Sequence, residues 1–118
     1  MYIRTKNQND YLIKVKVEFG KDLGLENDQD AYIELKELNT LEFVKLKNAY
    51  EKDELALLEY FKNILHTIIV NHNLYENENE KMKNQDVAEL IFEKSSITVK
   101  VISTYTKAVF FTSKKETN

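Results

Sequence analysis

The stretch from Leu55 to Phe92 does most to limit what this chain can fold into. The apolar residues Leu55, Leu57, Leu58, Tyr60, Phe61, Ile64, Leu65, Ile68, Ile69 and Val70 stop at Asn71-His72-Asn73, and a second apolar series starts at Val87, Leu90 and Ile91. Leu57, Phe61, Ile64, Leu65 and Ile68 recur at spacings of three and four, which places them along one face of an α-helix. That face has to be buried, so this helix is the expected centre of the core. The polar crossing at 71–84 reads as a structural hinge. Asn71 and His72 close the first helix, where an imidazolium would meet the negative end of the helix dipole, and Asn84 or Gln85 caps the second, with Asp86 and Glu89 in its first turn.

Upstream the period changes from helical to alternating. Residues 1–10 show no period and read as a loose arm, whereas Tyr11, Ile13, Val15, Val17 and Phe19 alternate with Lys14, Lys16 and Glu18, as in a half-buried strand. Ala31 to Leu38 alternates again, and the two strands are expected to pair antiparallel as a β unit over 11–38. Gly20 to Asp30, holding both glycines, is too irregular for an element. At Asn39-Thr40-Leu41-Glu42 an Asn in the N-cap position, with a Glu three residues on, predicts a helix start; its uneven stripe suits a short helix ending near Tyr50. Lys52 or Asp53 then opens the longest helix, and Ser95-Ser96 offers a further cap.

Ile97 to Phe111 admits two readings. Ile97, Val99, Val101, Ser103 and Tyr105 alternate, but Ile97, Val101, Tyr105 and Val109 also recur every four, and the length is ordinary for a helix and long for a strand. We expect a helix, followed by a charged, frayed tail at 112–118. The expectation is therefore an α+β chain, a single domain over 1–118: an N-terminal antiparallel two-stranded unit packed on a bundle of about four helices within 39–111.

Composition limits the chemistry. The chain has 118 residues and no cysteine, so it is large enough for a core without disulfide or metal staples and has no thiolate nucleophile. No apolar run approaches the roughly 18 residues of a membrane span and no leader pattern begins the chain, which points to the cytoplasm and away from membranes. Net charge is −3, with eleven acids against four lysines between Asp22 and Glu59. Such a segment is first a solvated acidic face and second a docking surface for a basic partner, and no basic face for nucleic acid accompanies it. His66 and His72 are six apart, whereas ligand pairs on one helix want three or four. Glu26, Asp28, Asp30, Glu34 and Glu37 fit positions 1, 3, 5, 9 and 12 of a calcium-binding loop, but Ala31 stands where its sharp turn needs glycine, so an acidic hairpin loop takes precedence over a calcium site. There is no Gly-x-Ser-x-Gly and no phosphate-cradling glycine loop. A non-enzymatic protein without metal or cofactor is expected.

Two segments resemble a known family. Ala31-Tyr32-Ile33-Glu34-Leu35-Lys36-Glu37-Leu38-Asn39-Thr40-Leu41-Glu42 is similar to the strand and capped helix of siphophage and prophage tail assembly chaperones, with Asn39 in place of the family's proline. Ile69-Val70-Asn71-His72-Asn73-Leu74-Tyr75, continuing through Lys81-Met82-Lys83-Asn84-Gln85-Asp86-Val87-Ala88-Glu89-Leu90-Ile91-Phe92, resembles the same family's second block, with Leu74 in place of an aromatic. Together they span about a third of the chain, in the family's order. The resemblance implies a non-catalytic protein of the host-cell cytoplasm that binds the long, helical tape measure protein during tail assembly and shields it until tail-tube subunits displace it. It also implies a C-terminally extended product made by programmed frameshifting, and Lys114-Lys115 is a pair that an A-rich slippery run would encode.

An apolar groove or exposed helix stripe would serve such a partner. Phe43, Val44 and Leu46 on the helix after Thr40, and Val101, Tyr105 and Phe110 near the C-terminus, are the candidates. Each suits the core or a homo-oligomer contact better than a partner surface. A different class of function also fits the sequence, a small acidic regulatory or inhibitor module that neutralises a basic protein through 22–59.

Overall fold

The computed structural model describes residues 14–116, of which 112–116 are described by their helical backbone alone. The fold is α+β. In chain order it comprises β1 (Lys14–Glu18), β2 (Tyr32–Lys36), α1 (Thr40–Lys52), α2 (Glu54–Ile68), β3 (Ile69–His72), β4 (Tyr75–Asn77), β5 (Glu80–Lys81), α3 (Asn84–Glu93) and α4 (Ser95–Glu116). Two short 3-10 turns, Lys21–Leu23 and Asp28–Asp30, lie in the β1–β2 connection.

The expected pairing of β1 with β2 is antiparallel, with Val17 opposite Ile33 and Val15 opposite Leu35. Alternation buries Val15, Val17, Ile33 and Leu35 on one face and leaves Lys14 and Lys16 outside. Tyr11 to Ile13, assigned to this strand from the sequence, lie outside the described residues, as do the arm at 1–10 and residues 117 and 118 of the tail. The backbone of α4 continues past Phe111 to Glu116.

The sheet corrects the sequence reading in one respect: it has three strands. The apolar series from Leu55 to Val70 is helical only to Ile68, and Ile69 leaves the helix with an extended backbone and pairs with β2. Leu35 faces Ile69, Glu34 faces Asn71 and Ile33 faces His72, so Val70 is an extra residue on β3. This bulge shifts the phase of the strand, and Ile69 and His72, three apart, both turn into the core while Val70 stays exposed. Past His72 the carboxamide of Asn73 reinforces the backbone pairing: its Oδ1 accepts from the Tyr32 N–H at 2.8 Å and its Nδ2 donates to the Asp30 carbonyl at 3.0 Å, beside the Asn73 N–H that donates to the Tyr32 carbonyl at 3.4 Å. The remainder of the crossing forms a small ribbon, β4 with β5. Asn71 and His72 are therefore strand residues and do not close α2.

The helix starts can be checked atom by atom. Asn39 caps α1 as expected, its Oδ1 accepting from the Glu42 N–H at 2.9 Å, with Thr40 the first helical residue. The Glu42 carboxylate accepts from the Tyr60 hydroxyl at 3.0 Å and faces Lys45 at 3.4 Å. Asp53 alone separates α1 from α2 and caps the latter through the Ala56 N–H at 2.7 Å. Asn84 is not a cap: Lys83 holds that position, while Asn84 opens α3 and donates from Nδ2 to the Ile69 carbonyl at 3.0 Å, tying the start of α3 to β3.

α4 crosses the sheet and closes the core. Ile97, Val101, Tyr105 and Val109, the spacing-of-four series, are buried. They meet Phe61 and Leu65 of α2, Val87 and Ile91 of α3 and the inner face of the sheet in one apolar cluster. The Tyr105 ring stands edge-on to Phe61, centroids 5.8 Å apart, and its hydroxyl donates to the Lys36 carbonyl at 2.8 Å. Lys100 anchors the other flank, its Nζ 2.7 Å from Asp22 Oδ2 and 3.3 Å from the Glu18 carbonyl.

Candidate functional site

α4 uses one face for the core and offers another. Thr98, Val99, Ile102, Ser103, Thr106 and Phe110 lie off the buried series and form one wall of an open groove of about 630 Å³. Leu57 and Leu58 of α2 form the facing wall, and Tyr50 at the end of α1 contributes a further side. Phe110 locks α1 onto α4, its ring edge-on to Phe43 at 5.6 Å and to Tyr50 at 5.2 Å. Contacts of that geometry are worth about 0.5–1.5 kcal/mol each beyond the area they bury. The groove thus sits on a braced helical face and keeps apolar surface in water: Val99 is 65 % exposed and Leu58 39 %.

Of the four lining residues that carry hydroxyls, Tyr50, Thr98, Ser103 and Thr106, the three on α4 turn them back to helix carbonyls. Thr98 Oγ1 donates to Ile91 O at 2.6 Å or Lys94 O at 3.0 Å, Ser103 Oγ to Lys100 O at 3.3 Å, and Thr106 Oγ1 to Ile102 O at 2.9 Å or Ser103 O at 3.2 Å. Their donors are spent, and the wall they make is methyl and methylene. Glu54 and Lys107, one on each side, are the charged side chains of the lining, and neither forms an ion pair with a described residue.

The residues expected from sequence to meet a partner divide in two. Leu46, Val101 and Tyr105 are fully buried and hold the core together, so they are not available to a partner; this corrects the sequence reading of those three. Val44 is exposed on α1, Phe43 is half-buried against Phe110, and Phe110 lines the groove. Sequence reasoning missed Tyr50, Leu57, Leu58, Val99 and Ile102. The signal was present in the apolar residues of α4 that fall off the 97-101-105-109 series, which a helix buried on only one face does not require.

His72, expected at a helix end as an imidazolium, is instead a buried strand residue. Nδ1 accepts from the Leu74 N–H at 3.0 Å, which leaves Nε2 as the protonated nitrogen, 2.9 Å from the Met82 carbonyl. Burial lowers its pKa from the ordinary 6.5, against the opposing pull of the Met82 carbonyl. The neutral ring is a bracket fastening the β4–β5 ribbon to the core. On the outer face of the sheet Asn71 donates to Glu34 at 2.9 Å and accepts from Lys81 at 3.3 Å, a second tie between the same strands.

The acids of the calcium-like window are held along a turn and a strand. Asp28 Oδ1 accepts from the Lys21 N–H at 3.1 Å, Asp30 Oδ2 from the Asn27 N–H at 3.0 Å, and Glu34 faces Asn71. No group of three or more candidate metal ligands occurs among the described residues. Asp22 belongs to Lys100, whose hydrogen bond lowers the Asp22 carboxyl and which is itself raised by it. No helix among the described residues is long and apolar enough to cross a membrane. Comparison with protein-family models, with curated proteins and with solved structures finds no match.

Proposed function

We propose that the chain is a tail assembly chaperone of the siphophage kind, a non-enzymatic cytoplasmic protein that holds amphipathic helices of the tape measure protein in the groove between α2 and α4. The observation that carries this reading is the groove: apolar, open, and lined along α4 by hydroxyls whose donors are already used. An extended peptide would bring backbone C=O groups for which the α4 hydroxyls have no donor left, at a cost of about 1–3 kcal/mol for each group buried. A helix satisfies its own backbone and presents only side chains, so it fits where a strand does not. A tape measure segment waiting for its tube has an apolar stripe of this sort to cover.

The resemblance supports the partner's identity. Its two segments lie side by side, β2 paired with β3, and Asn73 of one clasps Tyr32 of the other. The acidic module reading gains less support, because Asp22, Asp28, Asp30, Glu34, Glu42 and Asp53 have partners within the chain.

Co-expression with a helical tape measure fragment tests the proposal. The fragment should stay in solution and co-purify with the parent chain, and should be lost with Leu58→Glu/Val99→Glu, two exposed positions where the charge leaves the fold intact. A fragment that stays insoluble and unbound, or that binds the double variant as well as the parent, overturns the reading.

A further inference from the structure

The two charged side chains of the groove lining stand on opposite walls, Glu54 on α2 and Lys107 on α4; both are exposed, and neither is engaged by a described ion pair. We infer that this pair of rims sets the direction in which a bound helix lies. The inference rests on the reading of the groove as a helix-binding site and adds which helices it prefers and how they run.

The argument is geometric. A helix seated with its apolar stripe down has two flanks, and seen from its N-terminus their left and right are fixed by the right-handed sense of the helix. Reversing the helix end for end exchanges the walls that the flanks meet. In an uncharged groove neither direction gains from the charges on the flanks. Here a helix with Lys or Arg along one flank and Asp or Glu along the other can lie with its bases beside Glu54 and its acids beside Lys107, or reversed with like charges together. The groove therefore favours one direction for an amphipathic helix of opposite-signed flanks. The apolar walls give affinity without direction, and Glu54 and Lys107 give direction with little affinity. The exposed wall from Thr98 to Phe111 is about 20 Å long at 1.5 Å per residue, so about four helical turns are read at once.

The test uses the full chain and two synthetic helical peptides of about 18 residues, long enough to form helix. They share one leucine stripe and one composition and differ by exchange of the Arg and Glu flanks. Each carries a nitroxide near its N-terminus, with a second label at Ser95 or Glu116 of the chain after substitution by cysteine. Affinity is read by fluorescence anisotropy and direction by the distance between labels. Each peptide should bind with one direction predominating, the predominant directions of the two being opposite, and Glu54→Lys/Lys107→Glu should reverse both. A peptide with Arg beside both walls should bind the parent several-fold more weakly than one with matched flanks, in line with exposed ion pairs worth about 0.2–1 kcal/mol each, and the difference should shrink in high salt. Helices that populate both directions equally, or that ignore the charge exchange, overturn the inference and leave the groove reading standing. Absence of binding by every peptide overturns both. A groove closed by self-association, seen as a dimer that the peptides do not dissociate, overturns the inference in favour of a second copy as occupant.

Discussion

Tyr105 lies where sequence and structure disagree most sharply about a single side chain, and replacing its hydroxyl separates the two readings. The residue is fully buried, its ring packs on Phe61, and its hydroxyl is 2.8 Å from the Lys36 carbonyl, joining α4 to the end of β2. Tyr105→Phe keeps the ring and deletes one hydrogen bond, leaving the part-buried Lys36 carbonyl without that donor. The expected loss is about 1–2 kcal/mol. Tyr105→Leu also removes the edge-on aromatic contact and opens a void, for a loss of about 3 kcal/mol or more. For a domain of this size that corresponds to a drop in Tm of about 4 °C per kcal/mol. Urea unfolding followed by far-UV circular dichroism measures both variants. Burial also pushes the Tyr105 phenol well above its ordinary value of 10, so its contribution is complete below pH 10 and is lost as pH rises beyond that, where the unfolded chain ionises first. A Phe variant within about 0.3 kcal/mol of the parent would refute the hydrogen-bond argument, since that bond alone is expected to be worth more. Unchanged stability with lost partner binding would restore Tyr105 to the partner-facing role that the sequence suggests.

Two further predictions concern the loop and the ribbon. At Gly20 a Cβ would overlap the Asn27 carbonyl oxygen, a backbone atom that cannot swing aside, whereas Gly24 has a φ of 83° and open space around it. Gly20→Ala should therefore cost at least about 2 kcal/mol by forcing the loop apart, and Gly24→Ala only about 1 kcal/mol of left-handed strain; thermal melts in the reverse order would refute the distinction. For His72 the folded chain favours the neutral ring, so the unfolded state binds its proton more readily, and stability should be complete above 6.5 and fall as pH drops through and below that value. Hydrogen-exchange protection in 75–81, taken relative to the intrinsic rate at each pH, should fall in acid, and His72→Leu should abolish that fall; protection there that is the same at pH 7.5 and pH 5 would refute the bracket.

Much of the fold was legible because local and tertiary demands coincide. Asn39 and Asp53 cap helices in the structure by the mechanism their side chains suggest, and the strands around Val17 and Ile33 alternate because one face of their sheet is buried. In α4 the length and the every-four series outweighed the β-branched composition, since Ile97, Val101, Tyr105 and Val109 need one continuous buried face. The groove was half legible. Phe110 was identified, but the fully buried Tyr105 and Val101 share its helix, and only a three-dimensional view of which direction each side chain takes separates lining from core.

The third strand was not legible, for a reason specific to residues 68–72. The apolar series runs through Ile68, Ile69 and Val70 without a break, and nothing local tells the chain to leave the helix at Ile68. The edge of β2 provides that instruction, more than thirty residues earlier in the chain, by offering hydrogen-bond partners that a longer α2 would leave empty. The bulge at Val70 then erases the two-residue alternation by which a strand is recognised, because Ile69 and His72 are both buried at a separation of three, a spacing that looks helical. The histidine was misread for the same reason: placed at a helix end it would be a cation, but placed in a bulged strand beneath the ribbon it is a neutral ring held by two backbone groups. The protonation state of His72 thus follows from the strand pairing, and a measured pKa below 6.5 would report that β3 is formed.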